Sequence, residues 1–325
     1  MSGSAGEHAN RIIALEEAFT ISAFRSQESS LTHSINPDWG HYLDRRIADL
    51  TGIRLEEMDQ AGIDVQVLSL TSPGIQGMTD AADAVRVAQE ANDVLATAVH
   101  EFPQRFAGLA ALAFQDPDAA IAELDRSVNQ LGLKGVLVNG QTGGVYLDDD
   151  RYTGFWEAIE SLQVPVYIHP ADSPTPFAVA DGLPIAEATF GWGFETGGHL
   201  LRLVMNGVLE RFPRATVILG HMGELLPFNL ARLDDRYDFY VGDKPIPNPP
   251  SFYIRRNVMI TTSGVNDAAP LRCAIDVMGA DRVMFAADYP YQRNEPAVEF
   301  IRSAPISETE RALICHGNAE RLLGI

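Results

Sequence analysis

The chain has 325 residues, 44 of them acidic against 24 basic, and a formal net charge of −20 at pH 7. Such a surface repels polyanions, which excludes nucleic acid and anionic membranes as partners. Two cysteines, no apolar run that spans a bilayer, and a start without the basic-then-apolar plan of a signal peptide lead us to expect a cytoplasmic protein with no disulfide framework.

Residues 1–10 read as a disordered tail and residues 11–325 as one domain. Arg11–Leu15 reads as the first strand and ends in Glu16-Glu17. Residues from about 20 to 50 are polar and aperiodic, with Asn36-Pro37 and Trp39-Gly40 as turn signals, so a long functional loop is expected there. Ile53–Ala61 has helical spacing, and Val65–Leu70 is a second strand that breaks at Thr71-Ser72-Pro73-Gly74. Asp80–Glu101 is a long helix with acidic residues in its first turn, followed by a strand at Phe106–Leu112. Asp116-Pro117 opens a helix that runs to Asn129, and Gly135–Val138 is the fourth strand. The glycines after it match no phosphate-binding fingerprint.

Arg151–Leu162 reads as a helix and Val164–Ile168 as a strand ending in His169-Pro170, with a second long insert to about residue 190. Glu195–Phe212 is expected to be one helix, stopped by Pro213. Ala215–Leu219 is a β-branched, apolar strand that ends in Gly220-His221-Met222-Gly223-Glu224. A helix over Glu224–Asp235, a proline-rich loop at Pro245–Pro250, a strand at Val258–Thr262, a helix at Ala268–Met278 and a strand at Arg282–Ala287 follow. Three helical segments, Glu295–Ser303, Ser307–Cys315 and Asn318–Leu323, close the chain. Eight strands alternating with helices predict a parallel sheet, and eight such units predict a closed (β/α)8 barrel. A doubly wound sheet is the alternative.

In a parallel α/β fold the chemistry gathers at the strands' carboxyl ends. Glu16, His169 and Asp288 end three strands and offer two carboxylates and an imidazole, a set that suits one divalent cation. Mixed oxygen and nitrogen ligation leaves Zn²⁺, Mn²⁺ and Mg²⁺ open. His221 and Glu224, from a fourth strand end, suit an acid/base pair or a group that orients substrate. Each has a plainer reading: a cap or salt bridge for Glu16, a satisfied buried imidazole for His169, a turn cap for Asp288. Arg232, three turns beyond His221, either binds a carboxylate or pairs with Asp234 or Asp235. His199 reads as a surface or helix-packing residue and His316 as part of a helix cap. The chain contains neither a Gly-x-Ser-x-Gly elbow nor a paired-cysteine motif, so no serine or thiol nucleophile is expected.

At these residues the sequence resembles the amidohydrolase superfamily, and within it the metal-dependent, non-oxidative aromatic acid decarboxylases. The motifs are ALEEAF (Ala14–Phe19), LTSPGIQG (Leu70–Gly77), YIHP (Tyr167–Pro170), RFPRATVILGHMGELLP (Arg211–Pro227), ITTSG (Ile260–Gly264) and FAADYPY (Phe285–Tyr291). They resemble the group of 2,3-dihydroxybenzoate, γ-resorcylate and salicylate decarboxylases, with 5-carboxyvanillate decarboxylase near it. The resemblance implies a (β/α)8 barrel with one divalent metal on Glu16, His169 and Asp288, no organic cofactor, and assembly into homodimers or homotetramers. It also implies a catalytic His221–Glu224 pair, a carboxylate contact from Arg232 and a ring contact from Tyr291. Two departures stand out. Ala18 replaces a histidine that some relatives carry, which favours Mg²⁺ or Mn²⁺ over Zn²⁺. Asp235 stands where relatives often place a histidine.

The expected reaction is reversible decarboxylation of an ortho-hydroxybenzoic acid to CO₂ and a phenol, with Asp288 as proton donor and His221, oriented by Glu224, stabilising charge on the phenolic oxygen. Hydrolysis of a lactone or amide at the same metal is the competing activity, and a catalytically dead scaffold the third reading.

Overall fold

The computed structural model describes residues 11–24, 36–175, 183–240, 242 and 245–325. The expected N-terminal tail and part of each long insert lie outside them.

Among the described residues eight strands form, all paired in parallel: β1 Ile13–Phe19, β2 Val65–Leu70, β3 Phe106–Gly108, β4 Val136–Asn139, β5 Val166–His169, β6 Val217–Leu219, β7 Val258–Thr261 and β8 Val283–Met284. They make a three-stranded sheet, β1-β2-β3, and a five-stranded sheet, β4-β5-β6-β7-β8. Isolated parallel bridges join the edges, Ala110 with Val136 and Leu15 with Ala286. β3, β6 and β8 are shorter than their apolar runs suggest, whereas β1 does not end before Glu16-Glu17 but continues through them to Phe19. At β8 the ladder stops because the chain is already turning toward Asp288, and the Ala287 N–H donates to the Glu17 side chain.

Parallel strands are buried on both faces, which is why they read as continuous apolar runs. One face of every strand packs in an inner cluster that includes Ile13, Val67, Ala107, Leu137, Tyr167, Ile218, Met259 and Met284, with Ala319 and Leu323 of the last helix against it. The other faces pack against the surrounding helices in a larger cluster.

Several helices form as the sequence indicates, among them Ile53–Ala61, Ala268–Met278 and Asn318–Leu323. Asp80 and Asp116 cap theirs by accepting from the backbone N–H three residues on. Four expectations need correction. The segment from 20 to 50 is not all loop: Pro37–Arg46 is a helix, with Asn36 as its cap, Pro37 in its first turn, and Arg46 paired to Glu57 at 2.6 Å. Asn36-Pro37 is thus a helix start and not a turn. The helix expected at 195–212 starts at Gly191 and is split by Gly207, whose φ of 72° interrupts it between Met205 and Val208. The next helix starts at Leu226 and runs to Tyr240, because Met222–Leu225 adopt positive φ. The proline-rich stretch is a loop only to Pro249, since Pro250 opens a helix to Asn257.

Candidate metal centre and active site

The carboxyl ends of the strands carry the unusual backbone. Glu16, His221, Met222, Glu224, Leu225 and Asp288 all have φ between 48° and 70°, a region that side-chain-bearing residues adopt at a cost. At Glu16 a bulge shifts the β1–β2 register between Ala14 and Glu17 and turns the side chain inward. Gly220 allows the end of β6 to approach: a Cβ there would lie 2.6 Å from Glu16 Oε2.

The result is a group of three ligand-type side chains, Glu16, His221 and Asp288, whose nearest ligand atoms all lie within 4.8 Å of one another. His221 Nε2 stands 3.7 Å from Glu16 Oε1 and 3.9 Å from Asp288 Oδ2. His169 Nε2 joins the same space, 3.5 Å from Glu16 Oε1. The four strand-end residues singled out in the sequence therefore converge, with His221 nearer the two carboxylates as a set than the separate acid/base role implied. Glu224 supports it from behind, accepting from His221 Nδ1 at 2.7 Å.

Glu16 is 2 % exposed and its two oxygens are treated differently. Oε2 accepts from the Tyr167 hydroxyl and, at 3.3 Å, from Thr261 Oγ1. Oε1 is buried and, among the described residues, has no hydrogen-bond partner. His169 Nδ1 donates to the Pro170 carbonyl at 2.9 Å, which leaves the Nε2 lone pair facing that same oxygen. Two electron pairs facing each other in a buried space are repulsive, and a cation between them removes the repulsion. The donor set, oxygen-rich with imidazole nitrogen, fits a divalent ion.

Burial lifts the Asp288 carboxyl well above the usual carboxylate range, and the neighbouring Glu16 adds to it, more than His221 offsets. Burial opposes a charge on His221, but Glu224, Glu16 and Asp288 outweigh it and hold the imidazolium well above the usual histidine value. His169 is pushed the other way by burial and stays neutral, as a ligand must. Burial beside Glu16 keeps Tyr167 a phenol and hence a donor.

Tyr291 places its hydroxyl 2.7 Å from Thr71 Oγ1 at the end of β2, so it stands among the strand ends. Arg232 belongs to a separate element. It lies exposed on the Leu226–Tyr240 helix, and among the described residues no contact joins it to the cluster. Nor does it pair with the neighbouring aspartates: Asp234 accepts from Ser251, and Asp235 from Arg236. His199 is buried in helix packing, its Nε2 accepting from Leu147 N at 3.1 Å. His316 caps nothing; its Nδ1 bonds Glu320 at 3.1 Å, while Asn318 starts the last helix and donates to Ala280 and Val283 carbonyls. Three contributors were missed from sequence: Tyr167, Thr261 and Glu17. The first two read as strand core, and the only available signal was a hydroxyl at an inward strand position.

An amidohydrolase family model matches residues 31–325, and the chain belongs to that family. It is 38 % identical over 320 residues to the γ-resorcylate decarboxylase of Rhizobium sp. (strain MTP-10005), covering 95 % of this chain and 97 % of that one. Its fold superposes with a TM-score of 0.92 on the crystal structure of a 2,6-dihydroxybenzoate decarboxylase complexed with 2,6-dihydroxybenzoate, 37 % identical over 97 % of this chain and all of that one. A dihydroxybenzoic acid decarboxylase from Polaromonas sp. JS666, solved with bound manganese and the inhibitor 2-nitroresorcinol, gives 0.91 at 36 % identity, covering 97 % of each chain.

Proposed function

We propose that the chain is a metal-dependent, non-oxidative decarboxylase of ortho-hydroxybenzoic acids, a carboxy-lyase whose first candidate substrate is 2,6-dihydroxybenzoate. One observation carries the reading: the unpaired, buried Glu16 Oε1 faces His169 and His221 beside Asp288, at the strand ends of a chain with full-length decarboxylase relatives. The frame is a closed (β/α)8 barrel. The bridges at both sheet edges and the inner cluster fed by all eight strands support that closure.

Glu16, His169 and Asp288 hold one divalent ion, with His221 Nε2 facing the same space. The oxygen-rich set, and the manganese in the Polaromonas relative, favour Mn²⁺ or Mg²⁺ over Zn²⁺. When bound, the ion supplies Lewis-acid polarisation of the substrate's phenolic and carboxylate oxygens and fixes the ring. Asp288 delivers a proton to the ring carbon bearing the carboxylate. The electron pair of the breaking carbon–carbon bond returns to the ring, CO₂ leaves, and Asp288 is reprotonated from solvent. His221, steered by Glu224, holds a proton toward the phenolic oxygen. Tyr291 lines the ring. Arg232, exposed on the Leu226–Tyr240 helix, is the candidate contact for the substrate's carboxylate.

The same reading places a homo-oligomer in the cytoplasm. Phe194, Phe228, Phe239 and Tyr240 are 63, 84, 68 and 74 % exposed, which is compatible with a surface covered by a second copy, and both cysteines are free. No helix among the described residues is long and apolar enough to cross a membrane.

The test is the ultraviolet spectrum over time with 2,6- and 2,3-dihydroxybenzoate, salicylate and 5-carboxyvanillate, each with Mn²⁺, Mg²⁺, Zn²⁺ or chelator. Metal-dependent loss of one acid with formation of CO₂ and its phenol is expected. Cleavage of a lactone or amide, with no acid consumed, would replace this reading by a hydrolase.

A further inference from the structure

Next to the candidate ligand Glu16, Glu17 points away from the cluster and is fully buried. Its Oε1 accepts from the Ala287 N–H at 2.9 Å and its Oε2 from the Tyr289 N–H at 3.1 Å. The residue between those two amides is Asp288, held at a φ of 70°. The adjacent backbone completes the tie, since Ala18 N donates to the Tyr289 carbonyl at 2.7 Å. One carboxylate thus grips both peptide groups flanking the proposed proton donor.

The surroundings are built for that grip. Gln66 Nε2 reaches Glu17 Oε2 at 3.5 Å, and its Oε1 accepts from Arg54 Nη1 at 3.0 Å. Arg54 is itself fully buried, donates to the Ala18 carbonyl at 2.6 Å and lies 4.7 Å from the centre of the Tyr289 ring. Each group bonded to Glu17 is a donor. A buried glutamate and a buried arginine bridged by a glutamine are costly, and a hydrophobic pair would fill the volume more cheaply. Nothing in the inner core requires them. The segment that does is Ala287–Tyr289, where β8 has ended and the backbone has left the ladder, so its amides have no strand to bond.

We propose that Glu17 is a positioning residue for the decarboxylation: its two-pronged hold on the Ala287 and Tyr289 amides keeps Asp288 in its left-handed conformation and aims its carboxyl at the cluster. The proposal rests on the decarboxylase reading for its kinetic part only. The clamp itself is a property of the chain.

Glu17→Gln keeps the buried volume but turns one prong into an NH₂ that faces a backbone N–H. In the purified protein, amide exchange in the peptide spanning residues 285–290 accelerates about tenfold or more, while peptides from β2 and β5 are unchanged. With the substrate the wild type turns over, kcat falls about tenfold or more and KM stays within about twofold, because the donor is misplaced and not the substrate. Glu17→Asp, which carries both oxygens but is too short to reach both amides, shows the same split to a lesser degree. Unchanged exchange at 285–290 in both variants would overturn the clamp. A lowered melting temperature with normal kcat per folded molecule would show a merely structural role and overturn the positioning claim. If the wild type consumes none of the acids, the decarboxylase reading fails on its own, and the exchange measurement still decides the clamp.

Discussion

The two ends of the strands are built on opposite plans. At the amino ends most of the polar side chains bond the strands' own backbone, the exceptions being a buried His316 Nε2 without a hydrogen-bond partner among the described residues and Gln163, just before β5, at a φ of 55°. Asp64 accepts from Ile12 N at 2.7 Å, Asn257 donates to the Pro213 and Ala215 carbonyls, and Asn318 donates to those of Ala280 and Val283. At the carboxyl ends, Glu16, His221, Glu224 and Asp288 sit at positive φ, and Glu16 Oε1, Asn139 Oδ1 and Ser263 Oγ are buried without partners. Side chains that satisfy each other contribute stability; those held in strain with bonds unmade are set to meet something else. The difference assigns stability to one end and chemistry to the other.

The comparison breaks most sharply at Asp288. Asp288→Asn preserves shape and removes the transferable proton, so kcat falls by about 10²–10⁴ while the melting temperature holds or rises. Near-normal turnover would show that the proton comes from elsewhere. Tyr167→Phe is next. It removes the hydroxyl that orients Glu16 from behind, and outer hydrogen bonds of this kind carry about 10–100-fold in metal affinity. Titration with Mn²⁺ followed by metal analysis reads that loss, and an unchanged affinity would show that Thr261 and the backbone hold Glu16 alone. At the opposite end, Asn318→Ala takes a donor from the buried Val283 carbonyl and the half-buried Ala280 carbonyl and lowers stability by about 1–3 kcal/mol. Its kcat per folded molecule is unchanged; a drop there would mean the two ends are coupled.

How much of this was legible in the sequence follows from what each residue's neighbours reveal. An ionisable side chain closing a β-branched run is visible in one dimension, and Glu16, His169, His221 and Asp288 were found that way. What holds them was not. Tyr167 in a strand looks like core because its hydroxyl's partner is 151 residues away in the chain. For Glu17, nothing local in the sequence shows that its partners are backbone amides near residue 288. Arg232 takes its role from its position in a motif, and the fold adds only that the residue is exposed. The Pro37–Arg46 helix was hidden because Asn-Pro signals a turn and a helix start alike; Arg46's pairing with Glu57 across a gap in sequence helps decide between them.

The last contrast is between two histidines, His221 partly exposed and His199 buried, that differ in company. His221 stands among three carboxylates that hold its proton. His199, packed in the Gly191–Met205 helix, is pushed down to about 3 by burial, with Asp148 opposing and Arg202 assisting. The linkage follows from the sign of that shift. The unfolded chain takes up a proton near the ordinary value of 6.5, which the folded protein refuses until about 3. Folding is therefore penalised progressively as pH falls from about 6.5 toward 3, by at most about 1.4 kcal/mol per pH unit, and above 6.5 the neutral ring has no such effect. His199→Gln, which retains an acceptor where Nε2 meets Leu147 N, lacks the proton and so flattens the acid side of a stability-against-pH curve by up to one proton. Denaturant melts from pH 7 to pH 4 measure it. Parallel curves for the two proteins would mean that another buried group sets the acid limit and that the contrast between the two histidines has no consequence for folding.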